Sequence, residues 1–148
     1  MYEKTYKAVA RRTGDLAVKV QARDHRITVD EPAASGGTDT GMNPVELLLS
    51  SIGACQTISL AIYAEQLQIP VDELWVEVEG DVDSAGFMGY DGYRPGYSEI
   101  RCHVHVKSSA PQSELQMLVD LVETRCPVED SVGHGVRFAK TKLTLENN

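Results

Sequence analysis

Three cysteines, four histidines and a glycine-rich loop are the residues here whose types and spacing could do chemistry. Cys55 lies in the run Gly-Ala-Cys-Gln-Thr inside a long apolar stretch, Cys102 alternates with Ile100, Val104 and Val106, and Cys126 directly precedes Pro127. The thiolate is the reactive form of cysteine, and its surroundings decide how readily it forms. Pro127 suits the first position of a short helix, which makes Cys126 the N-cap. The free N–H groups of that terminus, with Arg125 alongside, predict a lowered thiol pKa. Small neighbours leave space beside the Cys55 sulfur, and Gln56 and Thr57 could line a cavity there. The competing reading is a buried small hydrophobe. Cys102, on the apolar face of its strand, is expected in the core. Two cysteines in helix-linked positions outside the core point to a thiol redox pair. Their separation in sequence neither supports nor forbids their meeting.

The other patterns carry less. No CxxC is present, so neither a thioredoxin-type pair nor a zinc ribbon is signalled. His103 and His105 share one strand face with Arg101 and Lys107. With no third ligand nearby in that strand, a solvated face is expected and no metal. Gly36, Gly37 and Gly41 precede a helix start and could cradle an anion, but the Gly-Lys-Ser/Thr ending of a phosphate loop is missing. A Cys-His hydrolase would draw on His25 or His134, which nothing specific brings near Cys55.

The elements that must position these residues are legible from periodicity. Tyr6 to Arg12 reads as a first strand, followed by alternation at Leu16, Val18 and Val20 and again at Ile27 and Val29, a short antiparallel meander. Residues 31–42 form a loop. Asn43 is a favoured N-cap and Pro44 a favoured first helical residue. The helix they start should run about 24 residues, roughly 36 Å, before Pro70. It is apolar or small on nearly every face, so protein is expected to surround it. Leu74, Val76 and Val78 alternate as a strand, residues 81–97 are irregular, and 100–107 form another strand. Ser113 and Gln116 have capping-box spacing ahead of Leu115, Leu118, Val119 and Val122, an amphipathic helix. Val136, Phe138, Leu143 and Leu145 suggest a final strand or hairpin. This irregular alternation predicts an α+β domain with antiparallel sheet packed by helices.

Length and composition agree with one domain spanning 1–148, with 42% hydrophobic and 24% charged residues. A net charge of −8 argues against nucleic acid and anionic membranes as partners. The low-charge stretch from Leu47 to Ala64 is broken by Ser50, Ser51, Gln56, Thr57 and Ser59, and reads as a buried helix sooner than a span. The first twelve residues have no apolar signal region, so the cytoplasm is the expected location. In that reducing compartment a structural disulfide framework is not expected.

Taken together, Gly36 to Thr57 (GGTDTGMNPVELLLSSIGACQT) and Arg125 to Ser131 (RCPVEDS) closely resemble the OsmC/Ohr family of thiol-dependent hydroperoxide reductases. Gly86 to Val106 also looks like one OsmC-like branch, and the similarity covers nearly the whole chain. The resemblance implies an antiparallel sheet wrapped around a long central helix, in an intertwined homodimer with active sites at the subunit interface. It implies a peroxidatic role for Cys55 and a resolving role for Cys126. The substrate would be an organic hydroperoxide, and the reductant an external thiol or dithiol such as a lipoyl dithiol, thioredoxin or a small thiol. No metal, flavin or nucleotide is implied.

Family members also carry a glutamate two positions after the capping Asn, paired with an arginine that orders the thiolate. Here that position is Val45, and the acid is Glu46. At ~100° per residue, Val45 lies ~80° around the helix from Cys55 and Glu46 ~180° away. Glu46 therefore points away from its own Cys55, toward a partner chain or the helix N-terminus. Arg11, Arg12 and Arg26 lie in the region expected of the arginine, with Arg12 preferred. The departure at Val45 motivates an alternative function: a small-molecule binding protein that keeps the fold with weak catalysis.

Overall fold

The computed structural model describes residues 2–146. Five strands and four α-helices follow in the order β1 (Val9–Arg12), β2 (Val18–Ala22), β3 (His25–Val29), α1 (Pro44–Gln66), β4 (Glu73–Val82), α2 (Ser84–Phe87), β5 (Tyr97–Lys107), α3 (Gln112–Glu123) and α4 (Pro127–His134). The strands β1-β2-β3 form an antiparallel sheet, and β4-β5 form a second, two-stranded one. Glu73 pairs with Lys107 near one end of that second sheet and Glu79 with Arg101 further along, so its strands also run in opposite senses. The fold is α+β, as the element pattern predicts.

Backbone contacts divide the chain into two compact units, residues 1–51 with 78–102 and residues 52–77 with 103–148. In the first, Val18 pairs with Arg12 and with Val29, and the hairpin turn brings Ala22 opposite His25. Asp30, at the end of β3, is buried and organises the loop that follows. Its carboxylate accepts from the hydroxyls of Thr38 (2.5 Å) and Thr40 (2.7 Å) and from the Glu31 N–H (2.7 Å). These donors hold its pKa well below the usual carboxylate range. A Cβ on Gly37 would meet the Glu31 carbonyl at 2.0 Å, and one on Gly41 the Thr28 carbonyl at 2.2 Å. The glycines let the loop close around an anion, and that anion is the chain's own Asp30.

The start of α1 follows the sequence closely. Asn43 Oδ1 accepts from Glu46 N at 2.9 Å, and Glu46 Oε1 accepts from Asn43 N at 3.4 Å, a reciprocal capping box. Tyr97 adds a hydrogen bond from its hydroxyl to the Val45 carbonyl at 2.6 Å. Its ring lies where a Cβ on Gly80 would meet it at 2.7 Å, so that position of β4 has no room for a side chain. By length and composition α1 would be able to cross a membrane.

The second unit holds the core: Leu60, Ala64, Ile69, Leu118 and Val122, flanked by Tyr63, Val71, Leu74, Val76, Val104, Leu115 and Val119. The buried residues of α1 (Ile52, Gly53, Gln56, Leu60 and Ala64) recur about every four positions, one stripe of a helix. The helix ends where Gln68 adopts φ 57° and Ile69 N–H donates back to the Ala64 carbonyl at 2.8 Å, turning Ile69 into the core. Leu118→Ala should cost about 2–4 kcal/mol, by lost burial and the cavity left behind. Chemical denaturation of the two proteins checks this through the shift in midpoint.

Four expectations need correction. The first strand is shorter, beginning at Val9, and Tyr6 before it is exposed. Helix α3 starts at Gln112 behind Pro111 with no side-chain cap, so Ser113 and Gln116 form no capping box. Gln116 instead donates to Asp120 one turn on. Cys102 is exposed on β5, not in the core. Residues 135–146 form no strand, and Phe138, Leu143 and Leu145 are exposed. Alternation supplies an apolar edge, but a strand also needs a neighbour to complete its hydrogen bonds.

Candidate functional site

Within the second unit, the fourth turn of α1 and the N-terminus of α4 bring two cysteines into contact. The Sγ atoms of Cys126 and Cys55 lie 2.7 Å apart. Cys126 is the N-cap of α4, with Pro127 behind it at the first helical position, as its sequence context predicts. It is fully buried, whereas Cys55 is partly exposed. The exposed member of the pair is thus open to a reagent, and the buried member sits behind it.

The electrostatics of Cys126 run opposite to the sequence expectation. Its pKa is raised to about 11, first because burial disfavours the thiolate and then because the thiol hydrogen bonds to Cys55. The N–H groups of Glu129 and Val128 push it down, as a helix terminus should, but burial outweighs them. Sequence supplies the helix terminus, whereas burial is a property of the packed chain. Burial therefore favours the protonated form of Cys126.

A polar clamp beside the sulfurs escaped the sequence reading. Gln56 is buried, and its Nε2 donates to Glu129 Oε2 at 2.7 Å. This ties α1, one residue after Cys55, to the first turn of α4, three residues after Cys126. Thr57 Oγ1 bonds to the Gly53 carbonyl at 2.7 Å. Both side chains expected to line a cavity are committed to hydrogen bonds. Glu129→Ala would strand the buried Gln56 amide, at about 1–3 kcal/mol. Glu129→Gln, which retains an acceptor, should lose less. Urea midpoints of the three proteins provide the comparison.

The remaining candidates make contacts of their own. Glu46 caps α1, one of the two uses its position allows. Arg12, on β1, donates from Nε to the Gly14 carbonyl at 2.9 Å, and Arg26 from Nε to Gln21 Oε1 at 3.0 Å. His134 Nδ1 is 3.0 Å from Asp130 Oδ1 within α4. Among the described residues, one group has the composition to hold a metal: Glu77, His103 and His105. The third ligand type absent from the His103–His105 strand comes from its neighbour, β4.

Comparison with known proteins places the chain in a family. The sequence profile of the OsmC-like protein family matches residues 37–140. A hydroperoxide reductase of Mycoplasma pneumoniae is 27% identical over 143 residues, spanning 97% of this chain and 96% of that one. The crystal structure of an OsmC like protein from Mycoplasma pneumoniae matches with a TM-score of 0.77 at 25% identity, covering 89% of each chain. An organic hydroperoxide resistance protein OsmC from Legionella pneumophila matches with a TM-score of 0.66 at 20% identity, over 89% of this chain and 91% of that one. The profile match takes in both cysteines, the capped start of α1 and the helix that Cys126 opens. This chain belongs to the OsmC-like protein family and has the OsmC-like fold.

Proposed function

We propose that this protein is a thiol-dependent peroxidase that reduces organic hydroperoxides to alcohols. The observation that carries the reading is the close approach of a partly exposed Cys55 and a buried Cys126. The relatives named hydroperoxide reductase support the same class of reaction.

In this mechanism the Cys55 thiolate attacks the outer oxygen of ROOH. The O–O bond breaks, the sulfur takes that oxygen as a sulfenic acid, and RO⁻ leaves and collects a proton as ROH. The Cys126 thiol then displaces the sulfenic oxygen as water, forming the Cys55–Cys126 disulfide. An external dithiol reduces that disulfide by exchange and is itself oxidised. Arg12 is the proposed cation that orders the Cys55 thiolate. Glu46 acts indirectly, by fixing the N-terminus of the helix that carries Cys55. The protein works in the cytoplasm, where such reductants are available.

The active form is a homodimer in this reading. Ile58 and Ile62 on α1 are 61% and 48% exposed, and among the described residues of the first unit only Val29 and Asp30 are buried. A second copy covering these surfaces explains an apolar helix and an alternating C-terminal segment with little of the chain's own structure against them.

The test is steady-state consumption of cumene hydroperoxide and hydrogen peroxide, with dihydrolipoamide or dithiothreitol as reductant. The reading expects turnover of both the peroxide and the dithiol, with preference for the organic substrate. Wild type inactive with every dithiol would favour the binding-protein alternative, for which Val45 in place of the family's acid is the supporting observation.

A further inference from the structure

The face of the β4-β5 sheet opposite the core carries a cluster unrelated to the cysteine pair. Leu74, Val76 and Val104 turn toward the core, so strand alternation sends Trp75, Glu77, His103 and His105 the other way. One ligand-type atom from each of Glu77, His103 and His105 lies within 4.8 Å of the others. His105 Nε2 is 3.1 Å from Glu77 Oε1, yet that nitrogen is buried and makes no hydrogen bond among the described residues. The ring is held in place: Trp75 stacks on it with centroids 4.8 Å apart and planes within 5°. The His103 ring lies beside it, centroid to centroid 4.1 Å.

We propose that Glu77, His103 and His105 bind a divalent transition-metal ion of the zinc class, leaving a fourth position open to water. Imidazole nitrogen and carboxylate oxygen are a favoured donor set for such ions, with bonds of ~2.0–2.2 Å. Tetrahedral angles at those lengths separate ligand atoms by ~3.3 Å. The Glu77–His105 pair already has that spacing, and the exposed His103 side chain closes the rest by a change of rotamer on a fixed strand. An ion there would sit between the buried His105 nitrogen, which makes no hydrogen bond among the described residues, and the Glu77 carboxylate. It also crosslinks β4 to β5, so binding stabilises the folded chain.

Zinc titration by calorimetry tests this, in a Cys55→Ser/Cys102→Ser/Cys126→Ser background that removes the competing sulfur ligands. The expected result is one ion per chain, reversed by chelator, with affinity falling about 10- to 100-fold or more in His103→Ala and in His105→Ala. Glu77→Gln, a mild change at an exposed position, should also weaken binding. On the unmodified wild-type protein, substoichiometric Ni²⁺ should broaden the ring resonances of His103 and His105 before those of His25 and His134. Absence of saturable binding, equal affinity in the histidine variants, or first broadening at His25 or His134 would overturn the assignment.

Discussion

Cys55→Ser is expected to abolish peroxide reduction, with kcat/KM for cumene hydroperoxide falling on the order of 10³-fold or more. A serine hydroxyl ionises far above working pH and has no accessible sulfenic state, so both attack and oxygen transfer are lost. The fold should survive, because the Cys55 side chain is partly exposed and lies outside the Leu60–Val122 core. An unchanged denaturation midpoint beside lost turnover separates a chemical role from a structural one. Retained turnover in this variant would mean that the nucleophile is another group.

Cys126→Ser should behave differently, and the difference is informative. The first equivalent of peroxide should still be reduced at close to the wild-type rate, because Cys55 remains. The sulfenic acid then has no neighbour to condense with, and accumulates where dimedone can trap it. Steady-state turnover with a dithiol should fall on the order of 10²-fold, the loss of a thiol held in contact with its target. A pH signature goes with it. Folding raises the Cys126 pKa from an ordinary 9.0 to about 11, so the native state keeps a proton that the unfolded chain loses first. The resulting stabilisation is complete below pH 9 and is lost as pH rises from 9 to 11. Wild-type unfolding free energy should decline across that window, and the decline should shrink in Cys126→Ser.

What could be read from the sequence divides along locality. Asn43, Pro44 and Glu46 announce the start of α1 because a cap is made by residues three apart. Cys126-Pro127 announces α4 for the same reason. The alternation of β4 and β5 is likewise local, and correctly separates Val76 and Val104 from Glu77 and His103. What was missed depends on residues distant in sequence. Gln56 reaches Glu129, His105 finds Glu77, and the thiol of Cys126 is governed by burial that no neighbouring residue reports. The expected C-terminal hairpin had the right periodicity at Val136, Phe138, Leu143 and Leu145, but periodicity does not supply the adjoining strand. The Asp30 loop is intermediate. Its glycines were visible, while the anion they enclose was recognisable only once Thr38 and Thr40 had folded back onto it.

The central claim is that Cys55 and Cys126 form one redox pair driven by peroxide. Treating the reduced protein with a single equivalent of cumene hydroperoxide, then measuring intact mass and mapping the non-reduced peptides, tests it most directly. The account predicts the loss of two hydrogens and a linked peptide pair joining Cys55 to Cys126. An unchanged mass, or a linkage that involves Cys102 in place of either, would contradict it.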